Sequence, residues 1–150
     1  MTVEQLPPPP DVAGVRLDGE RIYRIDAGEN AALCRSTGVE PAADGTAHPA
    51  YYYIATQVAM GKSVAELCTI CAFDVNEGPM MAGSSVRFAA PLRVDVPYQV
   101  RGEILSLVRK RSRKLGVMDL LRYRLSLHGE DGAEVLETEN SWVLPRKELA

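Results

Sequence analysis

The chain has 150 residues, 46% of them hydrophobic and 25% charged, with a formal net charge of −3. A single domain of this length hides roughly 70% of its unfolded surface, so it needs neither a disulfide nor a metal to hold a core. The balance excludes a disordered chain, and it argues against a nucleic-acid partner, for which a strongly basic domain is expected.

No apolar run approaches the ~20 residues of a membrane span. The first ten residues show no basic patch followed by an apolar stretch. A cytoplasmic protein without a membrane partner is therefore expected. Three cysteines, an odd number, read as reduced thiols.

Four prolines in a row, Pro7 to Pro10, favour an extended segment that cannot donate backbone hydrogen bonds. Residues 1–20 are expected to be a flexible proline-rich arm, 21–146 the domain, and 147–150 a tail. Arg21 to Ile25 suits a short strand. Asp26 suits a helix N-cap with Glu29 three residues on, and Gly38 suits the stop. Val39 to Ala47, with Pro41, Asp44 and Gly45, reads as loop.

Pro49 then opens a second helix, ended by Gly61. Its residues, from Ala50 through three tyrosines to Met60, leave no wide polar face. A helix apolar nearly all round must be buried, and a small domain buries one only by wrapping something around it. A short third helix begins at Ser63, with Val64, Leu67, Cys68 and Cys71 spaced for a buried stripe. Asp74 to Pro79 reads as loop.

The remainder predicts sheet. Ser84 to Ala90 is a strand closed by Pro91. Tyr98 to Val108 alternates, with Val100, Ile104 and Val108 on one side. A basic turn, 109–114, follows. In Leu115 to His128, Leu115, Val117, Leu121, Tyr123, Leu125 and Leu127 share one parity. Glu130-Asp131-Gly132 signals a hairpin, and Glu134 to Leu144 is the last strand. Antiparallel strands so joined make a meander.

The strand block Ser85-Val86-Arg87-Phe88-Ala89-Ala90-Pro91-Leu92-Arg93-Val94-Asp95 resembles the "v-r-F-x-x-P-l-x-x-x-D" stretch of MaoC-like dehydratases. Val100 to Ile104 and Asn140 to Arg146 resemble two later strands of that family. Gly45 to Tyr51 resembles the approach to its central helix, in the N-terminal dehydratase half. The resemblance spans about Arg21 to Arg146. It implies an α+β hot-dog fold, a long curved antiparallel sheet wrapped around a buried central helix. It also implies acyl-thioester chemistry: hydration of enoyl thioesters or dehydration of (R)-3-hydroxyacyl thioesters. The acyl group rides on coenzyme A or phosphopantetheine as part of the substrate, with no other cofactor and no metal. Such proteins work as homodimers or with a second hot-dog subunit.

The family's Gly-Asp-x-Asn-Pro-aliphatic-His motif is broken here. The matching stretch is Gly38-Val39-Glu40-Pro41-Ala42-Ala43-Asp44, with valine for the aspartate and aspartate for the histidine. If the chain is active alone, His48 is the acid/base candidate, with Asp44 or Glu40 beside it. The alternative for His48 is a cap on the second helix. Without the dyad, the chain resembles a non-catalytic subunit whose partner reacts. A thioesterase using Glu66 or Asp74 is the third reading.

Tyr51 and Tyr52 are candidate substrate contacts, although successive helical side chains point about 100° apart. Gly83 and Ser84 are candidates for close approach of the backbone to substrate. From Arg101 to Arg124 there are eight basic residues against two acidic. Arg109, Lys110 and Arg111 are therefore expected to meet phosphates, against a solvated hairpin tip. His128 is expected at the surface. Cys68-Thr69-Ile70-Cys71 lacks a second pair and reads as two buried helical thiols.

Overall fold

A computed structural model describes residues 5–149. Three helices precede a four-stranded sheet: α1 (Ala27–Ser36), α2 (Tyr51–Ala59), α3 (Val64–Ile70), then β1 (Met80–Phe88), β2 (Gln99–Ser112), β3 (Gly116–His128) and β4 (Glu134–Pro145). The sheet is antiparallel in the order β1-β4-β3-β2. Thus β2, β3 and β4 form the expected meander, and β1 is added beside β4.

Local chemistry sets the helix ends. The Asp26 side chain accepts the Glu29 N–H at 2.9 Å and starts α1. Gly38, with φ +84°, follows its end. Ser63 and Glu66 exchange hydrogen bonds across the first turn of α3 as a capping box. Leu67, Cys68 and Cys71 are buried as the stripe predicts, whereas Val64 is exposed.

One face of α2 lies on the sheet. Tyr51, Ala55, Thr56 and Ala59 are buried, yet Ile54 is 36% and Val58 52% exposed. This corrects the expected full enclosure: a sheet of four strands covers one side of a helix, and the apolar outer side is left uncovered by the described residues. Phe73, Leu92, Val100, Ile104, Leu121, Leu125, Leu127 and Leu136 complete the core.

Three boundaries differ from expectation. Residues 14–19 pair with β2, through Leu17 N–H to Gly102 carbonyl at 2.9 Å and Gly19 N–H to Val100 carbonyl at 2.9 Å. Leu17 is fully buried, so the domain takes in part of the expected arm. Strand β1 begins at Met80, four residues early, and β2 runs on to Ser112. A bulge in β2 between Ile104 and Ser106 reverses the parity beyond it. Val108 is turned out to 51% exposure by it, while Leu107 packs inward. Segment 21–25 forms single bridges, Tyr23 to Tyr98 and Ile25 to Val94, rather than a strand.

Residues 14–19 cover the outer side of β2 from Val100 to Ile104, whereas β1, at the other edge of the sheet, has no paired strand on its outer side among the described residues. Met80, Met81 and Phe88 are exposed on it.

Candidate functional site

The loop 39–50 that leads to α2 carries the expected acid/base group. The His48 backbone N–H donates to buried Asn30 Oδ1 at 2.7 Å. Its ring Nδ1 accepts the Ala50 N–H at 3.0 Å. That leaves the proton on Nε2, which lies 3.3 Å from Thr37 Oγ1. The Thr37 hydroxyl itself donates to the Cys34 carbonyl at 2.8 Å. Both ring nitrogens thus hold the start of α2 to the end of α1, which is the capping role.

The carboxylates are not brought to the histidine by any hydrogen bond. Asp44 is exposed, and its Oδ1 accepts the Thr46 N–H at 2.9 Å, which lowers its pKa. Glu40 is exposed and sits 3.5 Å from Arg35. Glu66 belongs to the α3 capping box, and the Ser63 N–H lowers its pKa. Asp74 caps a 3₁₀ turn through the Asn76 N–H.

The substrate-contact candidates divide. The Tyr51 ring is buried in the core. Tyr52 and Ser84 meet: Tyr52 Oη is 2.9 Å from Ser84 Oγ. The Ser84 hydroxyl donates to Asn140 Oδ1 at 2.6 Å. With its one proton so placed, Ser84 accepts from the Tyr52 hydroxyl. Asn140 stands opposite Ser84 in β4 and opposite Tyr123 in β3, and it is fully buried. Beside it, Gln57 donates to the Tyr123 hydroxyl at 2.8 Å, and burial pushes the Tyr123 pKa up. Gly83 lies at the β1 bulge, where an added Cβ would stand 3.3 Å from Ser141 Oγ.

Along the same face of β1, Ser84, Val86 and Phe88 form a row about 13 Å long at the ~3.3 Å rise of a strand. The Tyr52 and Phe88 rings meet edge to face at 6.4 Å between centroids. Phe88 is also a wall of an open cavity of about 390 Å³, lined by Thr46, Ala47, Pro49 and residues 88–92. The cavity, the row and the first turn of α2 make one continuous surface, apolar at the cavity and polar at Ser84. Asn140 was legible only as a polar residue at an inward strand position.

Arg109 is not available to phosphate, contrary to expectation. Its guanidinium holds both oxygens of buried Asp119, at 2.8 and 2.9 Å, and reaches the Pro7 carbonyl at 2.9 Å. Lys110 and Arg111 are exposed, but they occupy the far end of β2, at the opposite corner of the sheet from the cavity. Arg93 follows Leu92 of the cavity wall, is exposed, and holds the Asp44 carbonyl at 2.9 Å. His128 is half-buried and lies 2.8 Å from Ser126 Oγ. Cys68 and Cys71 are both buried, and burial pushes Cys71 up to about 12.

No protein-family model matches the sequence, and no curated protein matches it. Solved structures do match in shape. A C-terminally truncated HadBC (3R-hydroxyacyl-ACP dehydratase) complex from Mycobacterium tuberculosis aligns with a TM-score of 0.66 at 16% identity, covering 89% of this chain and 97% of that one. A MaoC-like dehydratase from Rhodospirillum rubrum aligns at 0.60 and 16%, covering 98% of both chains. A hypothetical thioesterase from Streptococcus pneumoniae, solved with coenzyme A, aligns at 0.54 and 9%, covering 91% and 83%. The α+β architecture is that of the hot-dog proteins, as the sequence resemblance implied.

Proposed function

We propose that this hot-dog chain is an acyl-thioester-binding subunit that pairs with a second hot-dog subunit carrying the acid/base groups. One observation carries the reading. The sole histidine near α2 has both ring nitrogens engaged in holding backbone and Thr37, and no carboxylate is hydrogen-bonded to it. A hydratase must move a proton at the acyl carbon and handle a water, which needs a free base of suitable pKa within reach. Each nearby carboxylate is instead a cap, a turn former or an exposed ion-pair partner.

The binding surface remains. An apolar cavity leading to a row on β1 suits an acyl chain followed by an extended pantetheine arm, on coenzyme A or a carrier protein. Exposed Arg93, the residue after Leu92 of the cavity wall, supplies a cation for phosphate. The open β1 edge and the bare Ile54 and Val58 of α2 suit a partner subunit, since a free strand edge with exposed apolar residues invites pairing. The HadBC neighbour, described as a complex, supports a two-chain arrangement.

The test is the purified chain with crotonyl-CoA. The expected result is binding by calorimetry with no loss of enone absorbance and no release of free thiol. Hydration by the chain alone, thiol release, or absence of binding overturns the proposal.

A further inference from the structure

On the outer face of the sheet, away from the helices, three arginines are matched to acids. Arg122 pairs with Glu139, Arg124 with Glu103 and Arg87 with Glu137. The hairpin tip between β2 and β3 departs from that pattern. Lys110, Arg111, Arg113 and Lys114 are all exposed, and none pairs with a carboxylate among the described residues. Lys110 and Arg111 stand opposite Met118 and Val117, and the nearby Asp119 is buried between Arg109 and Arg146. The chain carries −3 in all, so everything outside these four cations carries −7. Like charges crowded on one tip repel one another, which a partner of opposite charge relieves.

The same end of the sheet is apolar. The bulge that turns Val108 outward sets it opposite Leu120; Leu120 stands opposite Val143, and Val143 opposite Met80. The row crosses all four strands, about 14 Å at the ~4.8 Å spacing of neighbouring strands. Val108 is 51% and Met80 42% exposed, while Leu120 and Val143 are half-buried. Lys110 is the next outward residue of β2, and Leu115, 38% exposed, sits in the turn among the cations. A strand added at the β1 edge leaves this face uncovered.

We infer that this end of the outer sheet face docks on an anionic lipid surface, with the β2–β3 turn among the headgroups. A lipid interface supplies negative charge and, just beneath it, hydrocarbon for Leu115 and Val108. A second copy packed about a two-fold axis near the row brings the cations against each other. Carboxylates of a soluble partner answer the cations and leave Leu115, at the apex of the turn, in water. The −7 of the remaining chain is repelled by the same surface, so the field turns the tip towards it. No helix among the described residues is long and apolar enough to cross a bilayer, so the contact is peripheral. The sequence excluded a membrane partner for want of a spanning run, and surface docking needs none. The inference goes beyond the acyl-thioester reading and stands apart from it.

The test is sedimentation of the full chain with large vesicles of phosphatidylcholine, with and without phosphatidylglycerol. Capture by the phosphatidylglycerol vesicles alone is expected, with release at about 1 M salt, where the Debye length falls to ~3 Å. Arg113→Gln and Lys114→Gln each weaken the capture about fivefold. Leu115→Ser and Val108→Ser keep the charge, lie at exposed positions, and weaken it several-fold. Circular dichroism matching that of the unsubstituted chain shows an intact fold in each variant. Capture by neither vesicle overturns the inference, and so does equal capture by both. Capture by phosphatidylglycerol vesicles that both serine variants keep in full overturns it as well, and assigns the tip to an acidic protein surface.

Discussion

Two buried polar clusters sit on the same face-to-core system of this sheet, and they are built on opposite principles. At one end, Asp119 has no exposure, and both its oxygens are held: Oδ1 by Arg109 at 2.8 Å, Oδ2 by Arg109 at 2.9 Å and Arg146 at 2.7 Å. Arg146, 3% exposed, gives its remaining donors to the Cys71 and Ala72 carbonyls and lies over the Phe73 ring. Arg109 adds the Pro7 carbonyl. That cluster ties α3, β2, β3 and β4 together with the segment at Pro7, and among the described residues each of its buried polar atoms has a partner. At the other end, the Tyr52–Ser84–Asn140 chain stops with a donor unfilled. A fully satisfied buried network rigidifies the core and specifies structure, whereas an incomplete one carries the cost of its unpaired group.

The largest expected effect comes from breaking the closed cluster. Asp119→Ala leaves two buried guanidinium groups without their counter-ion, and removing one partner of a buried ion pair costs about 3–5 kcal/mol. Urea denaturation followed by circular dichroism reads it as a lower midpoint with an unchanged slope. A loss below 1 kcal/mol breaks the comparison, because it means that solvent reaches the pair. The open cluster has the opposite sign. Asn140→Leu removes an unsatisfied donor, which alone is worth about 1–3 kcal/mol, and forfeits one Ser84 hydrogen bond of about 1 kcal/mol. The same denaturation is expected to show stability equal to or up to about 2 kcal/mol above that of the unsubstituted chain. A clear loss shows that Asn140 is a structural member after all.

Both clusters explain where sequence reading succeeded and failed. The Asp26 cap, the Ser63 start, the hairpin at Glu130 to Gly132 and the odd parity of β3 are local signals, and each is found in the structure. The bulge after Ile104 had no such mark, so Val108 was placed on the wrong face. The pairing of residues 14–19 along β2 is a long-range event carried by backbone groups, which leaves little trace in side-chain pattern. The half-covered α2 shows why an all-round apolar helix does not guarantee enclosure within one chain. Tyr52 and Ser84 were expected at the site and do meet. Arg109 was read by charge alone, although its strand partner across the hairpin was the buried Asp119. Asp119 and Asn140 share one signature, a polar side chain at a core-facing position in a strand of alternating residues. The sequence shows that conflict but not its outcome, because only the neighbours decide whether the group is paired.

The smallest effect concerns the thiol beside the closed cluster. Burial pushes Cys71 from an ordinary 9.0 up to about 12, and Cys68 is raised for the same reason. A thiol whose folded pKa is raised is neutral in the fold and ionises first in the unfolded chain. Its contribution is therefore fully present below pH 9 and lost progressively as pH climbs from about 9 towards 12. Between pH 8 and pH 10 the loss from Cys71 is about 1.4 kcal/mol, one logarithmic unit at 1.36 kcal/mol. Urea midpoints at the two pH values measure it, and Cys71→Ala is expected to flatten most of the difference. If the midpoint falls as steeply in that variant, the alkaline weakness lies elsewhere, and the closed cluster is not sealed against hydroxide at its thiol side. If it flattens, the low-dielectric surroundings that keep Cys71 neutral are the same ones that make the Asp119 pairing obligatory.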